Sequence, residues 1–133
     1  MTHSKNGVDG LKPFATPRSF LANIPRNAEN HNPKPPPANG NPQPWTDTKP
    51  IGIVCTGDSI PHPDGTRFLT AREVAALMTF PNEYVFKGLA KDIRTQIGNG
   101  VPPLFAYALF IHVRKHLEKA DGIVREVEVM ELD

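Results

Sequence analysis

The run Gln96-Ile-Gly-Asn-Gly-Val-Pro-Pro103 holds the residues best suited to grip a ligand. Gly98 and Gly100 flank Asn99, just ahead of Pro102 and Pro103. Two prolines there suit the first turn of a helix, where the missing N–H is not needed. A glycine-flanked amide at a helix start can present backbone N–H groups and one polar side chain to an anion or polar ligand. The same residues also spell an ordinary Gly-Asn turn, with Gln96 and Asn99 as capping residues. A second group is Arg67, Arg72 and Glu73. Thr70-Ala-Arg-Glu73 is a capping box, Thr at the N-cap and Glu three residues on. By itself it describes a capped amphipathic helix with solvent-facing charges.

The other reactive side chains give less. Cys55 is the only cysteine, so an intramolecular disulfide and a cysteine metal cluster are both excluded. A reducing compartment fits that usage. Cys55 ends the β-branched run Ile51-Gly-Ile-Val-Cys55 and reads as a buried thiol, not a nucleophile. His112 and His116 have a spacing that can hold a metal. The run His-Val-Arg-Lys-His lacks the Glu of a zinc hydrolase, and it reads as a boundary between apolar and charged faces. His62 reads as a turn residue. Asp58, Asp64 and Glu73 are too scattered for a carboxylate pair. No catalytic residue and no metal ligand is predicted.

These residues need elements to hold them. Residues 51–55 are predicted as a strand. Pro61-His-Pro-Asp-Gly65 is a turn, with Asp-Gly in left-handed geometry. A helix is predicted from Ala71 to about Thr79, with Val74, Leu77 and Met78 on one face, and Pro81 ends it. Residues 82–98 are expected to be mostly loop, anchored by Tyr84, Val85 and Phe86. A second helix is expected from about Val101 to Lys119, stopped at Asp121-Gly122. Nine of the ten residues 104–113 are apolar. A helix apolar on all sides is buried on all sides. One short helix and one strand cannot cover it, so another chain or missing layers must.

Residues 1–50 carry ten of the fifteen prolines. Pro33-Lys-Pro-Pro-Pro37 and Asn39-Gly-Asn-Pro-Gln-Pro44 favour extended chain over a packed core. Residues 19–24 could make one helical turn before Pro25, and Trp45 should dock on a neighbour. Residues 120–133 stay open between strand, coil and disorder. Six Lys/Arg against three Asp/Glu give residues 1–50 a net +3; nine against eleven give residues 51–133 a net −2. No basic patch marks a self-sufficient nucleic-acid binder. No run reaches the roughly 18 apolar residues of a membrane span.

The run Arg67-Phe-Leu-Thr-Ala-Arg-Glu-Val-Ala-Ala-Leu-Met-Thr-Phe-Pro81, followed by residues 96–103, resembles the last two motifs of the DNA cytosine-5 methyltransferases. Those read roughly R-x-L-T-x-R-E-x-A-R-L-Q-x-F-P and Q-I-G-N-A-V-P-P. The resemblance covers about residues 50–119, and more faintly residues 14–31. Its style is eukaryotic and fungal. Two positions depart from the pattern: Gly100 stands where Ala or Ser is usual, and Met78 where Gln is common.

The resemblance implies an α/β fold: the C-terminal fragment of a Rossmann-like S-adenosylmethionine-dependent methyltransferase domain, with a disordered Pro-rich N-terminal half. The expected divisions are 1–49, a Pro-rich, disordered loop read as a remnant of the target-recognition region, then 50–119 for the C-terminal part of the methyltransferase domain and 120–133 for a tail. By resemblance, Asn99, Gly100 and Gly98 would line the S-adenosylmethionine pocket, and Arg67, Arg72 and Glu73 would hold the domain hinge. The implied partners are DNA and a second chain carrying the N-terminal motifs, with no membrane. The family's Pro-Cys, cofactor loop, Glu-Asn-Val and Gln-x-Arg-x-Arg segment do not occur in this sequence. The expected function is therefore a methyltransferase fragment inactive alone, half of a split enzyme, or a non-enzymatic interaction module. The nucleus is the expected location in a eukaryote, the cytoplasm otherwise.

Overall fold

The computed structural model describes residues 3–4, 12–13, 16–34, 45, 54, 56 and 60–122. They divide into two compact units, Met1–Gly100 and Val101–Asp133.

In the first unit, β1 (His3–Ser4) and β2 (Lys12–Pro13) form a short parallel pair. Helix α1 (Pro17–Ala22) begins with proline at its first position. Ser19 adds a hydroxyl bond of 2.6 Å to the Thr16 carbonyl. The expected turn in 19–24 is thus a six-residue helix that starts earlier and stops at Ala22. Trp45 does dock: its indole N–H donates to the Pro61 carbonyl at 2.6 Å, and the Arg18 guanidinium lies 6.0 Å from its ring.

Residues 60–69 fold back on themselves through the turn at residues 61–65. Leu69 N–H donates to Ile60 O and His62 N–H to Arg67 O, both at 2.8 Å. Gly65 takes φ of 71°, the left-handed geometry expected of Asp-Gly. Helix α2 (Ala71–Leu77) follows, and both halves of the predicted capping box are formed. It ends in a Schellman motif: Phe80 N–H bonds Ala75 O and Thr79 N–H bonds Ala76 O, both at 2.9 Å. Thr79 supplies the left-handed residue, at φ 61°.

Helix α3 (Ala90–Asn99) was not expected, because 82–98 reads as loop. Its only aliphatic pair is Ile93 and Ile97, one turn apart, and both are buried. Asp92 accepts from Leu89 N–H at 3.2 Å and caps the start. A two-residue stripe in a polar decapeptide is too weak a period to read, yet it suffices once packed against α2. The core is Leu69, Val74, Ala75, Phe86, Ile93 and Ile97, with Leu21, Ile60, Leu77, Met78 and Phe80 around it. Arg72 and Glu73 are buried too, at 1% and 3% exposure, which corrects their reading as solvent-facing charges.

The second unit is α4 (Pro103–Ala120), close to the predicted span. Pro103 takes the first helical position, and Gly122 beyond its end has φ of 68°. None of its residues is buried. Phe105 and Phe110 are 62% and 68% exposed, in line with the expectation that this chain cannot by itself cover so apolar a helix. No described helix is long and apolar enough to cross a membrane.

The described residues are therefore mainly helical, with one two-residue strand pair, where an α/β arrangement was expected. The predicted strand at 51–55 lies outside the described residues except for Val54, which packs against the core without being in a strand.

Candidate functional site

The first motif block and residues 96–100 of the second are brought together in one unit. The Arg94 guanidinium, on α3, donates to the Leu69 carbonyl at 2.8 Å, just before α2. The Phe80 ring, beyond α2, lies against Gly100 at the end of α3. A Cβ built on Gly100 would come within 3.1 Å of the ring's Cζ, 3.3 Å of Ile97 O and 3.4 Å of Gln96 O. Gly100 has φ of −74° and ψ of 148°, so space rather than backbone geometry favours glycine there.

Two of the three predicted hinge residues, Arg67 and Glu73, form a connected network. Arg67 forks onto Glu73, with Nη1 to Oε2 and Nη2 to Oε1 both at 2.7 Å. The same Oε2 accepts from Thr70 N–H at 2.7 Å, and Thr70 Oγ1 accepts from Glu73 N–H at 3.2 Å. Burial pushes the Glu73 carboxyl upward, but the bonds from Arg67 and Thr70 outweigh it and hold the group below its ordinary value. Arg67 is shifted upward by the same bond to Glu73. His62, expected only to shape a turn, places Nε2 3.7 Å from Glu73 and Nδ1 2.8 Å from Asp64. Desolvation opposes ionisation of Asp64, but hydrogen bonds from Thr66 and His62 bring its carboxyl to about 2.

Arg72 does a different job from Arg67. Nε donates to Glu29 O at 3.0 Å, Nη1 to Pro81 O at 3.2 Å and Nη2 to Tyr84 O at 2.6 Å. Its guanidinium also lies 5.5 Å from the Phe86 ring centre. One buried side chain thus ties α2 to the segment after α1 and to the loop before α3. His31 adds a second tie, Nδ1 to Thr70 Oγ1 at 3.0 Å. His31, Arg94 and Phe80 were missed as site-building residues. Their partners are distant in sequence, 39 residues in the case of His31 and Thr70, and no local spacing reveals such pairs.

The ligand-binding candidates stand differently from their sequence reading. Gly98 and Asn99 are in the last turn of α3, not in a turn ahead of a helix. The last turn of a helix leaves carbonyls rather than N–H groups unsatisfied, and it is the negative end of the helix dipole. Gly100 N–H is already spent on Ile97 O at 3.1 Å. Asn99 is exposed, and its amide has no hydrogen-bond partner among the described residues. The group offers acceptors to a cation or a hydrogen-bond donor, rather than donors to an anion. Gln96 instead ties its amide to Lys87 O at 2.9 Å. Cys55 and Asp58 lie outside the described residues.

Comparison with known proteins identifies this assembly. The family described as C-5 cytosine-specific DNA methylase matches residues 6–115, well beyond the two blocks. The chain is 42% identical over 66 residues to DNA (cytosine-5)-methyltransferase 3 of Arabidopsis thaliana, covering 48% of this chain and 4% of that protein. It is 44% identical over 59 residues to the type II methyltransferase M1.HphI of Haemophilus parahaemolyticus, covering 43% of this chain and 16% of that one. A longer match, 30% identical over 139 residues, joins 77% of this chain to 36% of the type II methyltransferase M.NgoFVII of Neisseria gonorrhoeae. The chain thus spans only a small part of the relatives it matches. No solved structure matches it. The match over residues 6–115, which contains both motif blocks, makes this chain a member of the C-5 cytosine-specific DNA methylase family.

Proposed function

We propose that this chain supplies the C-terminal part of a DNA cytosine-5 methyltransferase and transfers no methyl group by itself. Its contributions are one wall of an S-adenosylmethionine pocket at Gly98, Asn99 and Gly100, a hinge held by Arg67, Arg72 and Glu73, and an apolar helix, α4. The cofactor supplies the methyl group and carries two cationic centres, an ammonium and a sulfonium. The acceptor chemistry at the end of α3 suits that ligand: the Asn99 amide oxygen and the last-turn carbonyls can accept from the ammonium. The single observation that carries the reading is the exposed Asn99 amide at the negative end of a helix that the two family motifs pack together.

The chain's own composition supports silence when alone. Its one cysteine follows Val54, where the family's nucleophile follows proline. DNA binding by the isolated chain should be weak, because residues 51–133 carry nine basic against eleven acidic residues. The exposed face of α4 favours a second polypeptide with the N-terminal methyltransferase motifs over a free-standing interaction module.

The test is complementation. The chain is mixed with a polypeptide carrying those motifs, labelled S-adenosylmethionine and cytosine-containing DNA. Neither polypeptide alone should label the DNA, and the mixture should. Within the mixture, Asn99→Ala should weaken cofactor binding. Labelling by the isolated chain, abolished by Cys55→Ala, would overturn the reading, as would a complemented enzyme indifferent to Asn99.

A further inference from the structure

We propose that His112 and His116 form a two-imidazole binding site on α4 for a tetrahedral divalent metal, zinc above all. Nothing in the methyltransferase reading calls for a metal there. The residues are one turn apart on a continuous helix, so their rings share a face. Their Nε2 atoms are 3.3 Å apart, with ring planes at 69°.

That distance is compatible with two arrangements. With a proton on one Nε2 the rings share a hydrogen bond; with both Nε2 atoms deprotonated, the two lone pairs can face one metal ion. Two Zn–N bonds of about 2.0–2.1 Å at a tetrahedral angle separate their nitrogens by about 3.3 Å. A right-angled pair, as in octahedral coordination, would need only about 2.9 Å. The separation is close to the bite of a tetrahedral ion, which could replace the ring-to-ring hydrogen bond with little rearrangement. Each ring would carry its proton on Nδ1 and turn the Nε2 lone pair to the metal.

Both histidines are exposed, so the metal can enter from solvent. Two ligands make an open site, below the three-ligand clusters that are absent among the described residues. Two tetrahedral positions remain for water or for a donor from another chain. Lys115 and Lys119 follow three residues after the two histidines, and their charge opposes a dication. The site is accordingly a modest one.

The experiment is a calorimetric titration of the full 133-residue chain with zinc chloride, repeated with cobalt(II) to read tetrahedral geometry from its visible absorption. Loss of one supporting group typically weakens a metal site about tenfold or more. His112→Ala and His116→Ala should each weaken zinc binding by at least that factor. His3→Ala should leave it unchanged. Alanine is the stronger helix former, so far-UV circular dichroism should show α4 intact in both variants. A double variant, His116→Ala with Leu117→His, keeps the number of imidazoles and moves one about 100° around the helix. It should lose the site. Zinc binding that survives all three substitutions would overturn the proposal. So would no zinc binding up to about 1 mM, the weakest affinity worth about 4 kcal/mol.

Discussion

Phe80 and Gly100 meet so closely that a Cβ on residue 100 would press against the ring. The Cζ of Phe80 would stand 3.1 Å from a Gly100 Cβ. Each residue belongs to a different motif block, and each sits just past the end of its helix. The Schellman motif aims Phe80, and the end of α3 brings Gly100 beneath it. Phe80 cannot easily swing away, since its ring centre is 5.4 Å from Tyr84 and 5.2 Å from Phe86.

The contact makes Gly100→Ala a test of how firmly the blocks are joined. An added methyl in a packed site costs about 1–3 kcal/mol when neighbours cannot move. Gly100→Ala should therefore destabilise the first unit by about 1 kcal/mol in urea unfolding. Phe80→Leu should recover part of that loss in the double variant, beyond what the two single changes sum to. Strict additivity would show that the ring yields freely.

Arg67 and Glu73 should dominate the acid side of the stability profile. Glu73 is held below its ordinary value of 4.5 in the fold. Its contribution is present above that value and disappears as pH falls through the lower, folded value. Stability should thus decline below about pH 4.5, with Asp64, at about 2, adding a smaller and more exposed effect of the same sign. Glu73→Gln should flatten this decline. Arg67→Ala leaves a 4% exposed carboxylate without its fork and should cost about 3 kcal/mol near neutral pH. An unchanged acid profile in Glu73→Gln would contradict the assignment.

Arg72 should be worth more than its charge. It bonds three backbone carbonyls from two distant segments, and lysine cannot reproduce a planar fork. Arg72→Ala should cost about 3 kcal/mol or more, since a hydrogen bond from a charged group is worth about 1.5–3 kcal/mol and three buried carbonyls lose their donor. Arg72→Lys should recover less than half. Limited proteolysis offers a second readout: both variants should open cleavage near residue 29, released from the Nε bond to Glu29 O, although the backbone N–H of residue 72 still reaches Asn30 O. Equal stability of Arg72→Lys and the parent chain would argue that only the charge matters.

Part of this site was legible because it is local. The capping box at Thr70 and Glu73 follows from a three-residue spacing, and the proline start of α4 from two adjacent residues. The left-handed turn at Gly65 is of the same kind. The rest depends on pairs that spacing does not encode. Arg72 looks like a surface arginine until Glu29, Pro81 and Tyr84 converge on it. Helix α3 has one aliphatic pair, so only packing against α2 makes it visible. Asn99 does precede α4, as expected, but it also closes α3, because Pro102 and Pro103 announce the start of α4 but not the helix before it. The helix ending at Asn99 places acceptors where donors were expected and changes the kind of ligand group the site can face.

The apolar side chains of α4 yield the last prediction. Leu104, Phe105, Leu109, Phe110, Val113 and Leu117 are all at least 37% exposed. Burying such a side chain fully gains about 1.5–3 kcal/mol, and a small domain has only about 5–15 kcal/mol of stability in total. Six partial exposures together are a driving force comparable to folding itself. The isolated chain should self-associate, with a sedimentation profile that shifts with concentration and a broad thermal transition. Phe105→Glu with Phe110→Glu should render it monomeric, because two desolvated carboxylates would oppose any apolar contact. A complementing polypeptide with the N-terminal motifs should suppress self-association of the parent chain and fail to bind this variant. A concentration-independent monomer with one sharp transition would instead show that α4 needs no cover, and would favour the free-standing interaction module.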